Sequence, residues 1–201
     1  MKKFLTFCLI VAVAFILTAD ISYSQETKTL IGAGTDYGSA WMFELKTNSV
    51  KGDAGTLFGV NGGILINKTA VLGLGLNLNV THDVVNYGYF GLYGNYTFNP
   101  DELFHISGHL MIGTGSARAY ERPKTSTFDD FWNITGAGFY IIEPGINAEM
   151  NFSEKVRIYA GLSYSLVSGL DEDHEKITTS GVTNKDLSGI NFNIGVKLVK
   201  F

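Results

Sequence analysis

The chain has 201 residues with 15 Lys and Arg against 19 Asp and Glu, a formal net charge of −4. Nothing in that balance supplies the clustered basic surface that nucleic-acid binding needs, so no nucleic-acid partner is expected. Only 17% of residues are charged, beside 24 glycines, 14 phenylalanines, 10 tyrosines and 3 prolines, a composition that suits β-structure facing lipid better than β-structure facing water.

Met1, Lys2 and Lys3 precede an apolar run from Phe4 to Leu17, then small and polar residues to Ser24. Basic, apolar and small segments in that order predict a secretory signal peptide over 1–24, with Gln25 as the mature N-terminus and one domain over 25–201. The run is too short for a spanning helix, which needs roughly 20 apolar residues. Cys8, the single cysteine, lies inside this run, so neither a disulfide nor an acylated N-terminus is expected. Losing Lys2, Lys3 and Asp20 moves the formal charge from −4 to −5.

The mature chain reads as a succession of strands. The first is expected over Thr27–Tyr37, followed by an irregular polar loop over Tyr37–Asp53 that carries Trp41 and Phe43. The second, from about Gly55 to Ile66, turns at Asn67-Lys68-Thr69 into the clearest one, Val71–Val80. There Leu72, Leu74, Leu76, Leu78 and Val80 fall on one side and Gly73, Gly75, Asn77 and Asn79 on the other. A period of two is a strand. Glycine and asparagine are too small and neutral for a solvated face, so the leucines are expected to meet lipid and the asparagines a polar lumen. Further strands are expected over Tyr87–Phe98, Phe104–Gly115, Phe139–Phe152, Val156–Val167 and Ser188–Phe201. Ile158, Leu162, Phe192 and Ile194 are assigned to the lipid side. Pro144 is expected to bring a bulge or a break to its strand. Short turns alternate with loops over 37–53, 116–137 and 168–187, the connection after the third strand being short as well. The fold predicted is all-β: a closed, eight-stranded, antiparallel, up-and-down transmembrane barrel with short periplasmic turns and longer extracellular loops.

The leader, these alternating strands and the ending SGINFNIGVKLVKF resemble the small eight-stranded outer-membrane barrels, OmpA/OmpX-like, and the outer-membrane β-barrel domain proteins of Bacteroidetes. The resemblance covers essentially the whole mature chain. It implies an outer-membrane location, partners among outer-membrane lipid and lipopolysaccharide, and assembly by the barrel-insertion machinery through the last strand ending at Phe201. It further implies a role in membrane integrity, adhesion, or binding of an extracellular ligand or host surface. One departure is that Phe201 and Val199 have the opposite parity from Leu198, Val196 and Ile194.

An eight-stranded barrel is just wide enough for side chains to fill, so a plugged lumen is expected. Its polar network is assigned to Glu143, Glu149, Arg157, His105, His109, Lys197, Asn77 and Asn79. Glu149 and Arg157, symmetric about Ser153, are expected to pair across the hairpin. Loop-binding candidates are Trp41, Phe131, Trp132, Asp171, Asp173 and Glu175. The run Asp171–Glu175 lacks the glycine and spacing of a calcium loop, so no metal and no cofactor are assigned. Three alternatives stand beside a non-enzymatic barrel. One is a lipid A deacylase-like enzyme using His105 and Ser107, favoured if that pair faces outward near a carboxylate. The others are a narrow channel and a soluble lipocalin-type barrel with its leucines inward.

Overall fold

The structure, a computed structural model, describes residues 35–81, 84–119 and 136–200. Eight strands occupy most of it: β1 (Tyr37–Val50), β2 (Asp53–Ile66), β3 (Ala70–Thr81), β4 (Val85–Phe98), β5 (Phe104–Ala119), β6 (Ala137–Asn151), β7 (Val156–Ser168) and β8 (Gly189–Lys200). Each pairs antiparallel with its neighbours in sequence, and β8 closes on β1. Closure leaves no strand with a free hydrogen-bonding edge. Two single-turn helices, α1 (Glu175–Thr178) and α2 (Asn184–Leu187), lie between β7 and β8. Among the described residues no helix is long and apolar enough to cross a membrane.

The alternation read from the sequence is what the barrel uses. In β3, Leu72 and Leu74 stand on the outer surface, Leu74 66% exposed, while Asn77 is buried inside. The leucines therefore point away from the barrel axis, opposite to a lipocalin-type barrel. Ile158, Leu162, Phe192 and Ile194 also lie outside, and Leu76 is half-buried. Leu78 is an exception: it keeps the outward parity between Phe58 and Gly88 but is only 8% exposed. It neighbours a bulge of its own strand: Thr56 pairs with Thr81 and Leu57 with Asn79, so Val80 is the extra residue and β3 bends there.

The first strand differs from expectation. Residues 37–50, expected in a polar loop, form β1, paired along its whole length with β2. Trp41 is accordingly an outward strand residue on the barrel wall, not a loop contact. The connection to β2 is the two-residue turn Lys51-Gly52, with φ of 53° and 88°, the left-handed pair that a tight hairpin requires. Thr27–Gly34 of the expected first strand lies outside the described residues, as do the leader, Phe131, Trp132 and Phe201.

Other registers follow the sequence more closely. Ile66 stands opposite Ala70 and Ile64 opposite Leu72, as the Lys68-centred turn requires. Pro144 faces outward and stands opposite Leu110; the β6–β7 ladder skips Glu143 and Pro144, with the same register on either side. The proline thus makes a break without a bulge, because it removes one donor but adds no residue. β8 also keeps one register through Lys200, with Val199 buried inside, so the parity change is not a bulge within the described residues. Tight curvature is set by facing inward glycines. Gly73 lies opposite Gly63, and a Cβ on Gly73 would come within 1.9 Å of the Gly62 carbonyl oxygen.

Candidate functional site

Every lumenal ion found on the described strands sits where the inward parity of its strand puts it. In the half of the lumen nearer the β7–β8 connection, β1 contributes Glu44 and Lys46, and β6 contributes Glu143, all buried. Lys46 Nζ lies 2.5 Å from Glu143 Oε1 and 3.2 Å from Glu44 Oε1. The remaining lone pairs of Glu143 are taken by donors from other strands: Tyr89 Oη at 2.6 Å, Ser163 Oγ at 3.1 Å and Ser165 Oγ at 3.0 Å. Glu44 accepts from Asn61 Nδ2 at 2.8 Å and from Tyr159 Oη at 3.1 Å. The Lys46 ammonium also lies 5.8 Å from the Tyr89 ring centroid, within cation–π range.

A second cluster lies toward the opposite end. Glu149 receives Lys197 Nζ at 3.3 and 3.4 Å and His105 Nε2 at 3.2 Å, and Ser107 Oγ donates to it. Lys197 also donates to Asn95 Oδ1 at 2.7 Å and Thr97 Oγ1 at 2.9 Å. His109 stacks on Tyr93 and lies 3.2 Å from Asn147 Nδ2. Among the described residues the lumen holds Glu44, Glu143 and Glu149 beside Lys46, Lys197 and Arg157, each carboxylate hydrogen-bonded from several strands, as buried charge requires.

The expected Glu149–Arg157 ion pair is present, but at the edge of contact and not directly across the hairpin. The hairpin centres on Glu154, so Tyr159 stands opposite Glu149 and Arg157 opposite Asn151. Arg157 Nη1 reaches Glu149 Oε2 only at 3.9 Å and makes no hydrogen bond. Lys197, on β8, is the carboxylate's close partner. Of the other expected lumen residues, Asn77 is fully buried and points its amide at Met111 Sδ, 3.4 Å away. Asn79 is half-buried and donates to the Val85 carbonyl at 2.8 Å.

His105 and Ser107 are buried inside the barrel and engage the same carboxylate. The serine proton goes to Glu149, so the imidazole has no hydroxyl to deprotonate, and the pair does not lie on the outer face that the enzyme alternative needs.

Above the ions the lumen turns apolar. Leu57, Val85, Tyr87, Phe139 and Ile141 form one buried cluster with Leu170, Ile177, Val182 and Leu187 from the β7–β8 connection. Residues 169–188, most of the loop expected over 168–187, fold over this end of the barrel. Thr183 closes a capping box with Asp186 at the start of α2. Asp171, Asp173 and Glu175 remain exposed. Among the described residues no group of three or more His, Cys, Asp and Glu side chains is placed to hold a metal ion.

Set against known structures, the barrel aligns with Neisserial surface protein A at 14% identity, covering 82% of this chain and 98% of that one, with a TM-score of 0.48. It also aligns with Ail, the attachment invasion locus protein of Yersinia pestis, at 13% identity, covering 83% and 99%, with a TM-score of 0.46. The chain resembles the small eight-stranded outer-membrane barrels. No protein-family model matches it, and no curated protein matches it by sequence.

Glu44 and Lys46 fall within the polar stretch 37–53, whose composition predicts a loop, so neither is expected in the lumen. The signal was present in the alternation of Trp41, Phe43 and Leu45 with Met42, Glu44 and Lys46. The buried anchors of the β7–β8 connection were missed for a related reason: single apolar residues several positions apart have no period to read.

Proposed function

We propose that the protein is a non-enzymatic barrel of an outer membrane, acting through its structure and the surface beyond the strands. One observation carries this: apolar side chains cover the outer wall on all eight strands while paired ions are buried inside. A water-soluble barrel of this kind would expose far more contiguous apolar surface than soluble monomers tolerate. In a bilayer the same arrangement is the stable one, since closed strands satisfy every backbone group internally. Tyr96, Phe98, Phe104 and Phe152, outward beside the turns of one end, fit an interfacial aromatic girdle. That end, which also holds both termini of the barrel, is assigned to the periplasm, and the capped end to the exterior.

On this reading the lipid and lipopolysaccharide of the membrane are the partners of the outer wall, β8 with Phe201 engages the insertion machinery, and the acidic outer side of residues 171–175 faces the medium. The cleaved leader over 1–24 delivers the chain. Neither the channel nor the enzyme alternative gains support: the lumen is filled by side chains, and His105 and Ser107 are inside it.

Cell fractionation tests the location. The protein is expected in the detergent-extracted outer membrane and to migrate faster unheated than boiled. Recovery in the soluble periplasm without detergent would overturn the reading. Large, steady conductance in planar bilayers would overturn the plugged lumen, and release of acyl chains from lipid A that is lost in Ser107→Ala would restore the enzyme.

A further inference from the structure

We propose that residues 169–188 are a hinged cap that opens as one unit while the barrel beneath stays closed. The two stems of this segment are adjacent, since Ser165 stands opposite Gly189 in the β7–β8 ladder. Its ends are knitted to each other, and they are tied to the barrel at the stem, where Val167 N of β7 donates to Ser188 Oγ at 2.9 Å. Leu170 N donates to Asn184 Oδ1 at 2.9 Å, and Asn184 N and Nδ2 donate to Glu172 Oε1 at 3.0 and 2.9 Å. Ser188 Oγ donates to the Asn184 carbonyl at 2.8 Å. Gly169, with φ of +77°, takes the chain out of β7 through a backbone conformation that any other residue would strain. These are the parts of a hinge.

Across the mouth the cap is held in two ways. Ile177, Val182, Leu187 and Leu170 are buried in the apolar cluster, and α1 packs against β5 on the far side of the barrel from β8. From the β1–β2 hairpin, Lys51 Nζ donates to the carbonyls of Ser180 and Gly181, both at 2.9 Å and at an exposed position. The single-turn helices have no stability of their own, so their order depends on this docking. The ion clusters of the lumen take all their partners from strands. Undocking the cap therefore breaks no buried ion pair, and it uncovers the apolar side chains of Leu57, Val85, Tyr87, Phe139 and Ile141. Lys51 is the latch, because it is the basic side chain that bridges the hairpin and the cap.

The test measures cysteine labelling by a membrane-impermeant maleimide, on full-length protein in lipid vesicles and in a Cys8→Ser background. Asp173→Cys gives the rate for a free site, Ile177→Cys and Val182→Cys report the cap, and Met111→Cys reports the barrel interior. Expected is slow labelling at both cap positions, at least tenfold faster labelling when Lys51→Ala is added, and no change at Met111→Cys. Two cap positions guard against one cysteine undocking the cap by itself. The proposal fails if both label as fast as Asp173→Cys with Lys51 present, if Lys51→Ala leaves both rates unchanged, or if Met111→Cys accelerates in step with them.

Discussion

Lys46 of β1 and Glu143 of β6, 97 residues apart in the chain, meet at 2.5 Å across the lumen, and both are buried. Their strands are not neighbours in the sheet, so the pair ties opposite walls together through the interior. Lys46→Met leaves Glu143 and Glu44 without their shared cation. Removing one partner of a buried pair costs about 3 kcal/mol or more, and that loss is expected in urea unfolding from lipid vesicles. The double variant Lys46→Met with Glu143→Gln should lose less than the two single variants added together. Simple additivity would contradict the coupling.

The two cations beside Glu149 should differ. Lys197→Met removes four short polar contacts and is expected to cost about 3 kcal/mol. Arg157→Met removes a contact of 3.9 Å with no hydrogen bond and should cost clearly less than Lys197→Met. Equal losses in the same unfolding measurement would return Arg157 to the place the sequence suggested for it.

Leu92 is 69% exposed and stands between Leu74 and Ile112 on neighbouring strands. If that belt meets hydrocarbon, Leu92→Arg destabilises the barrel by about 2–4 kcal/mol in a bilayer. In a soluble barrel the same substitution on the surface would be near neutral. Unfolding titrations in vesicles separate the two.

Curvature at the Gly63–Gly73 pair leaves no room for a side chain. Gly73→Val is expected to abolish the compact, heat-modifiable band on refolding, since its Cβ would meet the Gly62 carbonyl at 1.9 Å. Gly189→Ala, where a Cβ would have nothing within 4 Å, should refold like the parent.

The strands of this barrel were legible wherever large apolar residues alternated with small or neutral ones, as in Leu72–Leu78 or Ile190–Leu198. β1 was not, because Glu44, Lys46 and Asn48 carry the composition of a solvated loop. Charge marks exposure in most proteins. Here it marks the interior, and the correct reading lay in the partners of those residues on β2, β4, β6 and β7, which no local window contains. The same limit explains Glu149. Its inward facing followed from parity, but its partner depended on whether the hairpin centred on Ser153 or Glu154, a choice of one residue that the turn sequence leaves open. The cap was hidden for a different reason: Leu170, Ile177, Val182 and Leu187 follow the shape of the mouth they fill rather than any regular element.

Lys197 belongs to the last strand, and β8 pairs with both β7 and β1. A sheet still waiting for that strand holds Glu149 without its closest counter-charge and leaves β1 and β7 with open hydrogen-bonding edges. Hydrocarbon penalises both defects at once. Premature truncation should therefore yield chains that cannot settle in the bilayer at all, rather than slightly weakened barrels, and the cell would meet them as substrates for degradation.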